Sequence, residues 1–435
     1  ELGAQGSTTG ADLQGMAGDL SKNYALGADI DASATASWHT GKGFAPIGQG
    51  FFDMFTGHFD GLGHQINHLH INRPEDSRVG LFGSIGAFAD PGIPVRVSGV
   101  RITDAFVKGG SYVGILAGVN QGGVYDVHVS GEVKASLSVG GLVAFNSSSA
   151  VISRSSAVGE ITSSLEVGGG LVAGNDGVIQ DSYADVDVPF AQYRVGGFVG
   201  DNGGEIKNSY AIGVVRHADN PSLKFSTQTG EFVGRNEGQL VNVFGRTDAN
   251  PYVESTYGSR VDTGWTGFDF DHTWFMIDGQ TRPMLRMERS AKITNANQLQ
   301  LMAVAPNIDY ALANDIDLSA DLGRDLGLWR DGFVPVGDAN TASEFTGSLS
   351  GAGHTISALA VNVDRHVTDG VFGDVDGSTV SGLTLENPTI TSGNDSGVDG
   401  NQVFGEGVTL AGDVTLNAGS GAVSIDQPIG TSASP

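Results

Sequence analysis

Two pairs of aspartates have the residue type and the spacing for calcium chemistry. Asp29 and Asp31 stand in the phrase A-D-I-D, and Asp315 and Asp317 stand in N-D-I-D. Each pair ends a stretch of alternating apolar residues, so both carboxylates lie on one face of a strand, where carbonyl oxygens could complete a calcium site. The structural alternative is that these carboxylates accept backbone N–H groups of a following turn. The chain lacks an EF-hand loop and the nonapeptide of calcium β-rolls.

Three loops place an aromatic ring beside a basic side chain: Trp38 with His39 and Lys42, Trp329 with Arg330, and Tyr193 with Arg194. An exposed ring beside a cation is how proteins stack on a sugar face or anchor a partner. For the two tryptophans the structural alternative is a ring folded over the edge of the fold as a lid. The insert Arg216–Thr229 is a further candidate, since loops on one side of a repeat protein usually carry its binding surface.

No catalytic constellation can be identified. H-E-x-x-H is absent, and so are the D-D, G-H-G and R-x-K motifs sought for polysaccharide hydrolases and lyases. Histidines 58, 64, 68 and 70 form a cluster, but an internal copy of this region keeps only His354, which favours a turn element over a metal site. A Ser/His/Asp triad leaves no local signature. We therefore expect a protein that is not an enzyme and needs no cofactor, with calcium as the one candidate ion.

The elements that position these loops are indicated by a phrase that occurs five times. Its copies end at Asn120, Asn146, Asn175, Asn202 and Asn236, at intervals of 26, 29, 27 and 34 residues. A glycine-rich apolar phrase at nearly fixed spacing is typical of a solenoid, whose units bury their apolar faces on one another. Asparagine tolerates a left-handed corner and can hydrogen-bond from coil to coil, so the five residues are expected to form a structural ladder. A ligand-binding row is the alternative.

Short runs of alternating apolar residues bounded by Gly, Asn or Asp indicate strands and turns. We expect three short strands per coil, an all-β parallel β-helix with coils about 4.8 Å apart, and a packed interior that includes Leu142 and Phe198. Helical periodicity is present only at Ala11–Leu20 and Ala296–Val304, each a short helix that leads into a module.

A larger duplication frames the short repeats, because the region from Asp12 to Gly83 recurs from Gln298 to Gly373 with an offset of 286 to 290 residues. This predicts a first β-helical module at 1–112, short coils at 113–260 and a second module at 291–392. The aromatic segment 261–290 between them is expected to close the first array, and 393–435 to form thin further coils with a disordered end.

The charge balance excludes several classes of partner. Forty-nine acidic residues against 23 basic ones give a formal net charge of −26, with the basic residues scattered, so we expect no nucleic acid and no anionic membrane as partner. No run approaches the roughly 18 to 20 apolar residues of a membrane span, and none resembles a signal peptide. Cysteine is absent, which excludes disulfides and thiolate chemistry. We expect the chain to be a piece of a longer protein.

The phrase V-G-G-L-V-A-F-N and its copies resemble the GLUG repeat. The modules with F-A-P-I-G and V-G-L-F-G resemble those of filamentous-haemagglutinin-like exoproteins secreted by the two-partner route, over about residues 10 to 390. The resemblance implies a right-handed parallel β-helix from a bacterial surface or biofilm matrix adhesin, with an outer-membrane transporter as partner of the parent protein. The secretion domain of that family is missing here, and no anchoring segment can be recognised.

Together these observations predict a fragment of a secreted adhesin at the bacterial cell surface or in the biofilm matrix. Its rigid rod would display loops for an exopolysaccharide or a host-cell glycan. Two alternatives stay open, a polysaccharide hydrolase or lyase on the same scaffold and a passive spacer of a larger adhesin.

Overall fold

The computed structural model divides the chain into two compact units. The first comprises residues 1–255 and 264–268, and the second comprises residues 256–263 and 269–435. The structure describes residues 1–50, 52–86, 95–163, 167–191, 193–217, 228–246, 265–322, 327–337, 344–362, 371–372, 379–391, 402–404, 408–411, 415–417 and 423–425.

The first unit is a parallel β-helix. In chain order its strands β1–β26 are Tyr24–Ala25, Ile30–Asp31, Phe59–Asp60, Gln65–Asn67, His70–Val79, Phe82–Ile85, Arg96–Ser98, Arg101–Val113, Ala117–Asn120, Gly123–Tyr125, His128–Ala135, Ser138–Gly140, Val143–Asn146, Val151–Ser153, Ser156–Ser163, Val167–Gly169, Val172–Asn175, Val178–Gln180, Tyr183–Ala191, Arg194–Gly196, Val199–Asn202, Glu205–Ala211, Val215–His217, Gln228–Gly230, Val233–Asn236 and Gln239–Phe244. Each strand that is paired in this unit runs parallel to its equivalents in the adjacent coils.

Four strands make up one coil, where the sequence predicted three. The repeated phrase is not one strand but two, as in β12 and β13, which are separated by Gly141 and Leu142. The chain bends there because coils approach closely: a Cβ added to Gly141 would lie 2.2 Å from the carbonyl oxygen of Gly170 in the next coil. Only glycine fits such a contact, and it also lets the backbone turn a corner between two short strands.

The interior of the first unit is filled with aliphatic and aromatic side chains, as predicted. Leu142 and Phe198 are both fully buried in one core that extends from Leu13 to Val243. Phe198 stacks on Phe232 of the next coil, with ring centroids 4.8 Å apart, which is the spacing expected between coils. A short 3₁₀-helix, Gln14–Gly18, lies within the first of the two predicted helical segments.

The second unit begins with an antiparallel pair and continues as parallel coils. Its strands β27–β41 are Trp274–Phe275, Met284–Leu285, Lys292–Ile293, Tyr310–Leu312, Ile316–Asp317, Ser348–Ser350, Thr355–Ser357, Ala360–Asn362, Thr379–Ser381, Leu383–Glu386, Thr389–Thr391, Gln402–Phe404, Val408–Ala411, Thr415–Asn417 and Val423–Ile425. The helix α1, Ala296–Gln300, continues as the 3₁₀ turn Leu301–Val304, which matches the second predicted helical segment. The second unit has a further 3₁₀ turn at Arg286–Glu288, and the first unit has one at Ser33–Gly41.

Two predicted boundaries are wrong. The strand β8 runs from Arg101 to Val113 and so crosses the expected division at residue 112, because the first module and the short coils share one core. The segment 261–290 is divided between the units. Trp265 packs on Phe244 of the last coil of the first unit, whereas Ile277 and Met284 belong to the core of the second.

Candidate functional site

Both tryptophans of the candidate loops are buried, which agrees with the structural alternative of a lid and not with the hypothesis of an exposed ring. Trp38 is 9% exposed and stacks on Phe44, with ring centroids 6.4 Å apart. Trp329 is 3% exposed, and its Nε1 donates to Oε1 of Gln300 at 2.6 Å. Burial of such a large apolar surface stabilises the unit more than exposure would, so each ring is a lid over a coil. Neither ring offers a face to a sugar.

The loop that follows Trp38 has an unusual backbone. His39, Thr40 and Gly41 are consecutive residues in the left-handed region, with φ of 50°, 57° and 86°. Only the glycine adopts this conformation at no cost, and strain of this kind concentrates at ligand sites. His39 has structural partners, since its ring Nδ1 lies 2.9 Å from the carbonyl oxygen of Gly43. Its backbone N–H donates to Oε1 of Gln5. The strained turn leaves Lys42 exposed.

A cavity of about 270 Å³ lies beside this strained loop. It is lined by Thr40, Gly41, Lys42, Asn72, Arg73, Pro74, Glu75 and Asp76. Arg73 is held in place, because Nε donates to the carbonyl oxygen of Phe44 at 3.0 Å and a terminal nitrogen lies 3.4 Å from Oδ2 of Asp76. Hydroxyl, amide, ammonium and carboxylate groups therefore face one small volume, an arrangement that can hydrogen-bond a compact polar ligand.

The sequence identified one wall of this cavity and missed the other. Lys42 was a candidate, but the run N-R-P-E-D at 72–76 was not. Its signal was a polar run with a proline inside the long strand β5, where the pairing with β8 shifts register between Arg73 and Ser77. Proline in a strand and a bulge both mark places where side chains are redirected.

The loop around Arg330 forms no comparable surface in the described residues. Arg330 lies 3.8 Å from the carboxylate of Asp331, and its backbone N–H donates to the carbonyl oxygen of Gln280 at 2.8 Å. Residues 323–326 of this loop are outside the described part of the chain. With Trp329 buried, the predicted pairing of an exposed ring with this arginine is wrong.

Tyr193 and Arg194 do form the predicted pair of an exposed ring and a cation. Tyr193 is 39% exposed, and the Arg194 guanidinium lies 5.1 Å from the centre of its ring. One nitrogen of Arg194 donates to Asp201 at 2.7 Å, and Arg235 of the next coil donates to the other oxygen of the same carboxylate at 2.9 Å. Most of the insert Arg216–Thr229, at 218–227, lies outside the described residues.

The first aspartate of each pair holds a histidine and a backbone N–H of the next coil. Asp29 lies 3.0 Å from Nδ1 of His64 and accepts the N–H of Gln65. The internal copy repeats both contacts, with Asp315 3.2 Å from Nδ1 of His354 and 2.9 Å from the N–H of Thr355. The first aspartate of each pair therefore links adjacent coils through these contacts, whereas the structural alternative expected bonds to a following turn.

The second aspartate of each pair accepts a turn N–H. Asp31 accepts from Ser33 and Asp317 from Ser319, both at 2.9 Å. Backbone hydrogen bonds from these serines lower the pKa of both carboxyls, and the N–H of Thr355 lowers the pKa of Asp315. No group of three or more metal-ligating side chains is placed to hold a metal ion in the described part of the chain. Calcium stays a prediction.

The five repeated asparagines form a continuous row of side-chain hydrogen bonds. Each Nδ2 donates to Oδ1 of the next asparagine, at 2.9, 2.8, 2.7 and 2.7 Å from Asn120 through Asn146, Asn175 and Asn202 to Asn236. The first four side chains are fully buried. Hydrogen bonds satisfy these amides where water cannot reach them, so the row is internal structure and offers no surface to a ligand.

Comparisons with known proteins include a relative in sequence and a distant structural likeness. No protein-family model matches the chain. Halomucin of Haloquadratum walsbyi, a large secreted surface protein, is 39% identical over 154 residues, which is 34% of this chain and 2% of halomucin. The crystal structure of a candidate immunoglobulin A1 protease from Bacteroides ovatus covers 53% of this chain and 72% of its own, with 19% identity and a TM-score of 0.43. Within the described residues, no helix has the length and apolarity to cross a membrane. The chain is thus similar to a small part of a much longer secreted surface protein.

Proposed function

We propose that this chain is a non-catalytic attachment segment of a secreted surface protein, and that it binds carbohydrate through the cavity beside Lys42. The observation that carries the proposal is the polar cavity itself, built from a strained loop on one side and the 72–76 segment on the other. Resemblance to GLUG-repeat adhesins and similarity to part of halomucin support an extracellular setting.

The cavity supports a sugar better than other classes of ligand. Its volume of about 270 Å³ lies at the lower edge of the roughly 300–1,000 Å³ typical of small-molecule sites, which favours a single sugar unit. Its lining mixes donors and acceptors without a dominant charge, since Lys42 and Arg73 are opposed by Glu75 and Asp76. Such a set matches hydroxyl groups, which both donate and accept.

A rigid scaffold is a physical advantage for attachment. The loop and the 72–76 segment are fixed by β-helix contacts, including the Arg73 hydrogen bond to Phe44 and the packing of Trp38 on Phe44. Binding to a pre-formed site costs little ordering entropy, so weak polar contacts suffice for measurable affinity.

The test is a glycan array with the full 435-residue chain, followed by titration calorimetry on the strongest binder. We expect Lys42→Ala to weaken binding about tenfold, the scale of one lost charged hydrogen bond. The matched control Lys22→Ala removes an equally exposed lysine that pairs with Asp19 away from the cavity, and it should leave affinity unchanged. No binding to any glycan class would refute the attachment role. Release of reducing ends from a bound polysaccharide would favour the hydrolase or lyase instead.

A further inference from the structure

One position of the repeated phrase differs in every coil, and it is partly exposed in all but the first, where Val119 is buried. The residue before each ladder asparagine is Val119, Phe145, Gly174, Asp201 and Arg235 in chain order, while most of the phrase around it is repeated. Strand pairing places these five residues in one register, coil above coil. We call them the variable row. The fold does not require one type of side chain at this position, so the line from aliphatic to aromatic to charged residues is free to be adapted to a ligand.

A second line of side chains runs beside the variable row. Arg194 is in register with Val167 and Gln228, and Ser138 belongs to the same column. Tyr112 takes the place of Ser138 in the preceding coil, because the next residue, Val113, pairs with Val139. The two lines meet through side-chain contacts, since Tyr112 packs edge-on against Phe145 with ring centroids 6.5 Å apart, and Arg194 bonds Asp201 at 2.7 Å. The two lines therefore form one continuous surface across several coils.

This surface has an aromatic end and a polar end. Tyr112 is 41% exposed, and the Phe145 ring reaches over the next coil, where a Cβ on Gly174 would lie 3.0 Å from its Cδ2. Glycine at this point gives the ring room to lie over the neighbouring coil. At the other end Arg194 and Arg235 share the carboxylate of Asp201, and the exposed ring of Tyr193 lies against Arg194.

The charges on this surface balance one another, which favours a ligand without net charge. Arg235 also pairs with Glu237 at 3.1 Å, so two arginines and two acids cancel on a chain whose net charge is −26. An anionic polymer would meet the strongly negative remainder of the chain, and a cationic one would find no excess of acid on this surface. Aromatic rings on the same surface as fixed hydrogen-bonding groups fit the apolar ring faces and hydroxyl edges of neutral sugars.

We propose that the variable row, with Tyr112, Tyr193 and Arg194, binds an extended neutral polysaccharide that lies along the stack of coils. This inference rests on the proposed carbohydrate attachment and adds a second site and a chain-like ligand to it. The coil spacing of about 4.8 Å is of the order of one pyranose unit in an extended chain, so successive coils contact successive sugars. Affinity should then grow with the length of the oligosaccharide, whereas the cavity beside Lys42 holds one unit only.

The experiment measures affinity of the full chain for cellohexaose, β-1,4-mannohexaose and laminarihexaose and for the matching disaccharides. We expect at least one hexasaccharide to bind about tenfold or more tightly than its disaccharide. Phe145→Ala and Tyr193→Ala should each lower hexasaccharide affinity about tenfold, the scale of one lost aromatic anchor, and leave disaccharide affinity unchanged. Val241→Ala removes an exposed apolar side chain from β26, outside the variable row, and is the control.

The outcomes separate this inference from the attachment role. Equal affinity for both lengths, or a length dependence that survives both aromatic variants, would overturn the second site while the cavity beside Lys42 keeps its role. Binding confined to an acidic chain such as hexagalacturonate would overturn the neutral ligand. Retained circular dichroism in each variant shows that lost affinity does not come from unfolding.

Discussion

At the scale of single residues, the asparagine ladder illustrates how position within a stack sets the cost of a substitution. Asn175 donates to Asn202 and accepts from Asn146, and all three are fully buried. Asn236 is exposed, and Asn202 is its one hydrogen-bond partner among the ladder asparagines. Removal of a buried partner leaves groups that water cannot reach, at about 1–3 kcal/mol for each.

We therefore expect Asn175→Ala to lower the free energy of unfolding by about 2–4 kcal/mol, because it strips a partner from both neighbours. Asn236→Ala should cost less than about 1 kcal/mol, since water replaces the lost contact. Urea unfolding of the first unit measures both changes. Equal losses at the two positions would show that burial within the ladder adds nothing to the cost of the substitution.

The sequence predicted the ladder because five asparagines at regular spacing carry a visible pattern. It could not predict the buried glutamines, which matter as much to the modules. The side-chain amide of Gln14 donates to the carbonyl oxygen of Ala45 and accepts from its N–H. The side-chain amide of Gln300 makes the same two hydrogen bonds with Val334 and also accepts from Nε1 of Trp329. A single polar residue in an otherwise helical phrase gives no sign of its partner 31 to 34 residues away, because that pairing exists only after the coil has closed.

The pKa shifts of the duplicated aspartates set the direction of a pH effect. Backbone N–H groups of Thr355 and Ser319 lower the pKa values of Asp315 and Asp317 below the ordinary 3.8. A lowered pKa in the folded state contributes stability above the ordinary pKa, and this stability is lost as pH falls through the folded value.

We expect the urea midpoint of the second unit to fall between about pH 5 and pH 3. In the double variant Asp315→Asn and Asp317→Asn the midpoint should fall less, because neither side chain titrates. Hydrogen exchange read in β30 and β33 at each urea concentration follows this unit alone, whereas tryptophan fluorescence would combine rings of both units. An identical acid dependence in the variant would assign the effect to other carboxyls.

At the scale of elements, the end of the first stack depends on a short aromatic segment. Trp265 is almost fully buried, with its ring 4.6 Å from that of Phe244 in β26 and 5.6 Å from that of Tyr210 in β22. The turn at Gly267 lies over the side chains of Asn208 and Asn242, where a Cβ would meet an amide nitrogen at 2.1 Å. Repeat arrays need an end unlike the repeats, and residues 265–268 provide it here.

Trp265→Ala should destabilise the end of the stack by about 3–5 kcal/mol, the cost of removing a large buried aromatic side chain. Because each coil contacts only its neighbours, the loss should be local. Hydrogen exchange is expected to accelerate in β26 and β22 and to stay unchanged in β8. Trp274→Ala, which alters the second unit, is the control. Uniform acceleration across the first unit would show that its coils unfold as one cooperative body.

The sequence predicted a closing element in this segment because two tryptophans between two arrays are conspicuous. It could not show that Trp265 and Trp274 belong to different units, since both stand in one aromatic run and composition carries no information on which core each ring enters. The same limit explains why the sequence could not establish that Trp38 and Trp329 are buried. A loop context predicts exposure, but tertiary burial of a large ring overrides it.

At the scale of the whole molecule, the charge imbalance is the dominant electrostatic feature. Forty-nine acidic residues oppose 23 basic ones, so most carboxylates cannot find a partner of opposite charge. Exposed ion pairs contribute about 0–1 kcal/mol each and are weakened by salt. Repulsion among the excess acids favours expansion of the chain and is also screened by salt, with a Debye length that falls from about 10 Å at 0.1 M to about 3 Å at 1 M.

Salt thus destabilises the fold by weakening ion pairs and stabilises it by screening repulsion among acids. The excess of acids makes the second effect the larger one. We expect the melting temperature of the full chain to rise as NaCl increases from 0.05 to 1 M, because screening removes more repulsion than attraction. CaCl₂ at matched ionic strength tests the aspartate pairs in the same measurement. A specific calcium site would add a further rise that Asp29→Asn or Asp315→Asn removes, whereas equal curves for the two salts leave only screening. A melting temperature that falls with NaCl would mean that local ion pairs such as Arg154 with Asp126 outweigh the net charge.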